Sequence, residues 1–395
     1  MSDATLPTRA APRPPLWRDV RVLRVVAQVA VVVAVALLLW FLWDNLTDNL
    51  RRQGIRTDLG FLDQATRFAI PDVTGSASFP FWRAMLTGVK NTALIGFVGI
   101  FLTTLLGVLV GVMRLSANWL VRRVAGIYVE ALRNTPVLIL ILILFLAVVL
   151  RLPGNVSDAP TWGGTAVVSN RGIWVPWLEG EPGRAGWYWL VVAAALAATV
   201  AVAIWRTRRF ELIGTPHQRF RWGAATFLAV LVVGYLALGA PFGLSLPERT
   251  TFGASGGIKL DTAYAALLVA LVIYTASHIA EIVRGSILAV PGGQTEAARA
   301  VGLTEFQRMR YVVLPQAFRI MVPPLGNQYL NLVKNSSLAV AIGFYDMTRI
   351  AFIASSQGFP APQVIAILML LYLAFSLSIS AVTNAVNRRL QLATR

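Results

Sequence analysis

The sequence contains no cysteine. No disulfide closes its loops, no thiolate can hold a metal, and the redox state of its compartment leaves no trace in it. Histidine is nearly as scarce. There are two, His217 and His278, and no His-Glu-x-x-His pair, so a metal centre is unsupported. Charge is also short: Asp, Glu, Lys and Arg make up 13% of the residues, against roughly 25% in soluble domains. Acids are the scarcer sign, 18 against 35 bases. No Gly-x-x-x-x-Gly-Lys-[Ser/Thr] run occurs, so the chain has no P-loop in which to bind ATP itself. Paired carboxylates and Ser/His arrangements are missing too, and the chain reads as a non-enzyme without a bound cofactor.

What is present is hydrophobic, 56% of 395 residues. The apolar residues come in runs that reach or approach the ~20 needed to cross a bilayer. These are Val25–Trp43, Thr92–Met113, Ile127–Leu150, Trp187–Trp205, Gly223–Ala240 and Ala263–Ile282. Two more polar runs, Ile320–Gly343 and Val364–Val386, complete the set. The pattern predicts an all-α polytopic membrane protein with about eight transmembrane helices. The first apolar run is longer than the ~7–15 residues of a signal-peptide core, so it reads as an uncleaved anchor.

A net charge of +17 on a soluble protein would suggest nucleic acid. Here the bases sit between spans. Arg9, Arg13, Arg18, Arg21 and Arg24 precede the first; Arg114, Arg122 and Arg123 follow the second. Arg206, Arg208, Arg209, Arg219 and Arg221 lie between the fourth and fifth, and Arg388, Arg389 and Arg395 close the chain. The loops 44–80, 151–186 and 242–262 are nearly balanced. Positive loops stay in the cytoplasm, so both termini are expected there; the partner of the surface is lipid, not nucleic acid.

Residues 1–20 are rich in Pro, Arg and Ala and read as a disordered cytoplasmic tail. Residues 21–87 hold the first span and an outward segment expected to pack on the membrane surface. Residues 88–388 form the main domain, with inserted loops and a helix pair at 151–260. Trp162, Trp174, Trp177, Trp187 and Trp189 suit the membrane interface. Gly107 and Gly111 make a small-xxx-small pair: either another helix approaches there, or they are the ordinary glycine of a membrane helix. No internal repeat supports an inverted-repeat secondary transporter.

The loop 284–320 reads as two short helices. Pro291, Gly292 and Gly293 break the chain and start the first. Gly302 ends it through a left-handed C-cap. Thr304 and Gln307 have the spacing of a capping box for the second, which Pro315 closes or bends. Ala297, Ala298 and Ala300 make the first helix small on one side, as a helix seated in a partner's groove would be. Glu296 and Arg299 are placed for charge-assisted contacts at the rim.

Glu296-Ala297-Ala298, three residues, Gly302, nine residues, then Val312-x-Leu314-Pro315 resembles the EAA loop of type I ABC importer permeases, with Val for the usual Ile. The flanks Tyr128-Val129-Glu130-x-x-Arg133-Asn134-Thr135-Pro136, Ala280–Gly285, Gly293–Glu296, Leu314–Ala317 and Lys334–Leu338 are similar to the polar amino acid uptake permeases. The extra first span and the inserted pair resemble the general L-amino acid permeases of the Aap/Bzt type, as do Asn49–Gly54 and Gly60–Asp63. Two departures bear on substrate choice: Val137–Phe145 is wholly apolar, and His278 stands where an apolar or aromatic residue is usual.

The resemblance implies a type I permease fold in a bacterial inner membrane, carrying L-amino acids inward. It implies that Glu296, Ala297, Ala298, Gly302, Leu314 and Pro315 couple the pore to separate ABC ATPase subunits, which use ATP and Mg. It further implies a second homologous permease, identical or not, and a periplasmic amino-acid-binding protein. The rival from another class is an ion-coupled secondary transporter or channel for a small polar solute.

Asn327, Asn331, Lys334 and Asn335 largely share a face of the seventh span, with Lys334 about 14 residues or about 21 Å into it. A charge at that depth faces a wet path, pairs with a carboxylate such as Glu281, or snorkels outward. His278, Glu281 and Arg284 are spaced by three. They form either a wet cluster on the pathway or, as Glu281–Arg284, an ion pair holding the loop to its helix.

Overall fold

The computed structural model describes residues 19–52, 54, 58–66, 68–70, 79–162, 165–213, 218–250 and 253–390. The expected tail therefore falls almost wholly outside the described residues, as do Gln53 and His217. Six helices are long and apolar enough to cross a membrane, and two bent pairs bring the number to eight if each pair is one span.

The straight spans are α1 (Val20–Arg52), α2 (Phe81–Met113), α5 (Arg184–Ile213), α6 (Arg219–Ala237), α7 (Thr262–Leu288) and α12 (Ala361–Leu390). The third expected span is not one rod. It divides into α3 (Trp119–Arg133) and α4 (Val137–Leu142), which runs on irregularly to Arg151, and the two halves turn by 103°. Pro136 lacks an amide proton and pushes Thr135 out of the helical region, so the helix stops there. The seventh span runs through α10 (Leu314–Asn335) and a tight 3-10 stretch to Ile342, then turns at Gly343 (φ +83°) into α11 (Met347–Ser356).

Helix α7 is the centre of the bundle. Leu267, Leu271 and Ala270 pack with Ile95 of α2, Ile141 of α4 and Leu332 and Val333 of α10. Helix α2 lies along it, parallel and in register: Thr103 Oγ1 donates to the Val272 carbonyl at 3.2 Å. One and two turns on, Gly107 meets Ile279 and the Ala276 carbonyl, and Gly111 meets Val283 and the Ala280 carbonyl. The glycine pair is thus a genuine helix contact within this chain.

The segment before α2 packs on the helix bundle itself. Phe61, Phe68, Ile70 and Phe79 are buried with Phe81, Met347, Ile350 and Phe359, so their aromatic surface is covered by the chain itself. The inserted loops also differ from an all-helical reading, although the chain remains predominantly helical. Strands β1 (Thr161–Trp162), β2 (Ala166–Ser169) and β3 (Gly172–Val175) form a meander. Two further short strands, β4 (Trp177–Gly180) and β5 (Phe242–Ser245), pair across the entry to α5 and the exit from α6. After the small β6 (Glu248–Arg249) and β7 (Ala254–Ser255) hairpin, β8 (Ile258–Leu260) closes on β3. Trp174 is buried in this module with Val156 and Val167, so it is a core residue and not an interface anchor. Trp177, Trp187 and Trp189 remain exposed, as interface residues should.

A Cβ on Gly107 or Gly111 would sit 2.5–2.8 Å from α7, so even alanine forces the pair apart. Gly111→Ala should cost about 1–3 kcal/mol by overpacking. Gly285→Ala, in the same contact helix but with nothing within 4 Å, should be neutral or stabilising. Thermal unfolding of the solubilised chain reads both.

Candidate coupling loop and translocation face

Helix α7 ends at Leu288, and the chain turns immediately into α8 (Gly292–Ala300) and α9 (Glu305–Arg308). The marks read around α8 and at the start of α9 are found. Pro291 is the N-cap of α8. Gly302 takes φ +78°, which lets its amide reach the Arg299 carbonyl and the Leu303 amide reach the Ala298 carbonyl. The Thr304 hydroxyl accepts from the Gln307 amide, and the Gln307 side chain accepts from the Thr304 amide, a complete capping box.

Pro315 neither closes nor stops the second helix. The backbone widens into a π turn over Met309–Val313 and continues into α10, with Pro315 in its first turn. The missing proline amide is absorbed by that bulge instead of breaking the rod. Helix α9 is thereby welded to α10, and Gln316 Nε2 donates to Gln294 Oε1 at 3.3 Å to tie α8 to the same rod.

Glu296 and Ala297 face outward, with Ala300 beside them. Ala298 instead turns inward and is buried. Arg299 pairs with Glu305 at 3.2 Å across the α8–α9 turn, and Glu305 also pairs with Arg308 within α9. Leu314 is half-buried and Pro315 exposed at the base of α10.

The loop is rooted in an ion cluster. Glu281 accepts from Arg284 Nε at 3.1 Å and also pairs with Arg114, the C-cap of α2. The pairing of Glu281 with Arg284 had a visible spacing. Arg114 comes from 167 residues away and is delivered by the Gly107–Gly111 register. Among the described residues Lys334 makes no ion pair, and Glu281 is taken by the two arginines. His278 stacks edge-on against Tyr274 at 4.9 Å, and no hydrogen bond joins His278 or Glu281 to the asparagines of α10 among the described residues.

On α10, Asn327, Asn331 and Lys334 are exposed and Asn335 is half-buried, along one side of the helix. The opposite flank, Ala317 and Met321, packs on Ile279 and Val283 of α7. Asn327 opens onto a groove of about 220 Å³ shared with Gly326, Ser380, Thr383, Asn384 and Asn387. The α12 residues of this groove escaped the sequence reading. Their spacing, 380, 383, 384 and 387, carries the same helical signal as α10. The larger clefts beside it, lined by Phe97, Ile100, Leu325 and Val382, are apolar.

Residues 103–392 match the family model described as binding-protein-dependent transport system inner membrane component. The chain is 38% identical to YhdX of Escherichia coli (strain K12), over 93% of this chain and 94% of that one. It is 35% identical to AapQ of Rhizobium johnstonii, a general L-amino acid transport system permease protein, over 93% and 92%. It is 35% identical to BztB of Rhodobacter capsulatus, a glutamate/glutamine/aspartate/asparagine transport system permease protein, over 95% and 96%. The reading as an ion-coupled transporter or channel is not favoured beside these relatives. With its long apolar helices, the chain is a multi-pass inner-membrane protein and belongs to the family of binding-protein-dependent transport system inner membrane components.

Proposed function

We propose that the chain is a permease subunit of an ATP-binding-cassette importer and carries L-amino acids inward across the membrane. The observation that carries this is the α8–α9 unit, a double-capped helix pair welded through a π turn to α10, the helix that bears the polar face. A push on α8 is transmitted to α10 through the Gln294–Gln316 hydrogen bond and to α7 through Pro291. Glu296, Ala297, Gly302, Leu314 and Pro315 form or shape the surface offered to the ATPase, while Ala298 holds α8 to its own chain.

Two ATPase subunits, using ATP and Mg, dock on that surface. A second homologous permease completes the path against the exposed asparagine face, and a periplasmic binding protein delivers the amino acid. Arg114, Arg122, Arg123 and Arg284 gather at one end of the bundle, which supports placing that end, and both termini, in the cytoplasm. Asn327, Asn331, Lys334 and Asn335 line the path, where Lys334 meets the substrate carboxylate. His278 and Glu281 belong to the framework behind it.

Glu296→Arg should weaken retention of the ATPase subunits about tenfold or more, as loss of an interface anchor does. Co-purification with the solubilised permease measures it, and undiminished retention counts against the docking role. Lys334→Met should lower amino-acid uptake into vesicles of the assembled transporter, while unchanged kinetics would remove Lys334 from the path. Glu281→Gln leaves two guanidinium groups competing for a neutral amide. It should lower the stability of the permease by about 2 kcal/mol, less than for a fully buried pair because the cluster is partly solvated. A melting curve matching the wild type would show that Arg114 and Arg284 do not need the carboxylate.

A further inference from the structure

A second polar cavity, of about 360 Å³, opens where α2 and α7 end and α3 begins. It is lined by Arg114, Trp119, Arg122, Arg123, Glu130 and Arg284, with Gly126 between them. Four guanidinium groups therefore face one carboxylate. Glu281 behind them draws on Arg114 and Arg284. Arg122 gives one donor to the Ser116 carbonyl at 2.8 Å. Arg123 is exposed and has no hydrogen bond or ion pair among the described residues. The cavity is thus an excess of positive charge with unused donors, within the size range of small-ligand sites, roughly 300–1,000 Å³.

The helix that builds it has three sides. Ala125 and Val129 are buried against Val110 and Ala280. Trp119, Arg122, Arg123 and Glu130 form the cavity wall. Leu120, Val124 and Ile127, spaced by four and three, make an exposed apolar row, each more than half accessible. After the 103° turn at Pro136 this helix is not in line with the rest of its span. An apolar row beside an arginine wall on a helix set across the bundle is the pattern of a segment lying in the bilayer interface.

We propose that this cavity binds the phosphate-bearing headgroup of an anionic phospholipid, with the acyl chains along Leu120, Val124 and Ile127. Guanidinium forks match phosphate oxygens bidentately. A free phosphate would use the same arginines but has no use for the apolar row, and that row favours lipid. The site rests on the inward orientation given above, since the cytoplasmic leaflet carries anionic lipid. The headgroup shares Arg114 and Arg284 with Glu281, so lipid composition acts at the root of the α8–α9 lever.

Native mass spectrometry of the solubilised full chain, titrated with phosphatidylglycerol, phosphatidylcholine or inorganic phosphate, tests this. Phosphatidylglycerol should be retained about tenfold more tightly than phosphatidylcholine, and inorganic phosphate should not displace it at equal concentration. Arg123→Gln should weaken that retention about fivefold at an unchanged melting temperature, because no internal bond is lost; Arg122→Gln/Arg123→Gln should weaken it further. Equal retention of the two lipids, or an Arg123→Gln variant that binds phosphatidylglycerol as before, overturns the proposal. Displacement by inorganic phosphate reassigns the site to a free anion. A variant that keeps its lipid but loses the ATPase reassigns it to a protein contact. Amino-acid uptake by the assembled transporter is a separate readout, so a failure of the importer reading leaves the lipid comparison intact.

Discussion

The close parallel seating of α2 on α7 is the contact on which the other features depend. Gly107 and Gly111 remove the side chains that would hold the helices apart, and α7 carbonyls come within van der Waals range of α2. That approach fixes the register, and the register carries Arg114 to Glu281 one turn beyond Gly111. The carboxylate is then shared between two helices at the point where α7 hands the chain to α8. Without the glycines the same charges would stand apart at the membrane edge, where exposed pairs contribute little.

The rest of the proposed mechanism is a question of stiffness. A lever needs a rigid connection to what it moves, and the chain supplies two. The capping box fixes the start of α9, and the Arg299–Glu305 pair joins α8 to it. The π turn before Pro315 carries that unit into α10 without a break. Helix α10 in turn presents its small, apolar side to α7 and its asparagines away from it. Polar side chains turned outward from a helix bundle in a membrane need a polar neighbour, and the groove shared with Asn384 and Asn387 of α12 continues the same surface. The inserted α5–α6 pair stands aside from this groove. Tyr188 and Tyr235 pack edge to face, and Tyr188 Oη donates to the Leu231 carbonyl, so the two helices are stitched chiefly to each other.

The parts legible in the sequence are those set by neighbours a few residues apart. Pro291, Gly302 and the Thr304–Gln307 pair each dictate a local geometry, and all are found in place. The apolar runs fix the number of membrane segments within the ambiguity of two bent pairs. The break at Pro136 was written in the sequence, but it was masked by the unbroken hydrophobicity that follows it. The β2–β3 hairpin had at most a run of β-formers, Val167-Val168 and Ile173-Trp174-Val175, on either side of Asn170-Arg171, whereas the closure of Ile258–Leu260 onto Ile173–Val175 had none. The same limit hid Arg114 from Glu281. Charge patterns show which helix face is polar, but not which distant helix answers it. The burial of Phe61 and Phe79 was hidden for a related reason: an isolated aromatic suits a membrane surface and a protein core equally well.

The central claim is that α8 is where an ATPase grips this chain. The absence of cysteine makes a direct measurement clean. A single cysteine at Ala297, exposed on α8, is cross-linked by a short thiol-reactive bridge in the assembled transporter, with a second single-cysteine chain at Gly186, at the opposite end of the bundle from α8 in the proposed orientation, as the control. The account predicts an ATPase adduct from position 297, with a yield that changes when ATP and Mg are added, and none from position 186. No adduct from 297 in an assembly that still imports would contradict it.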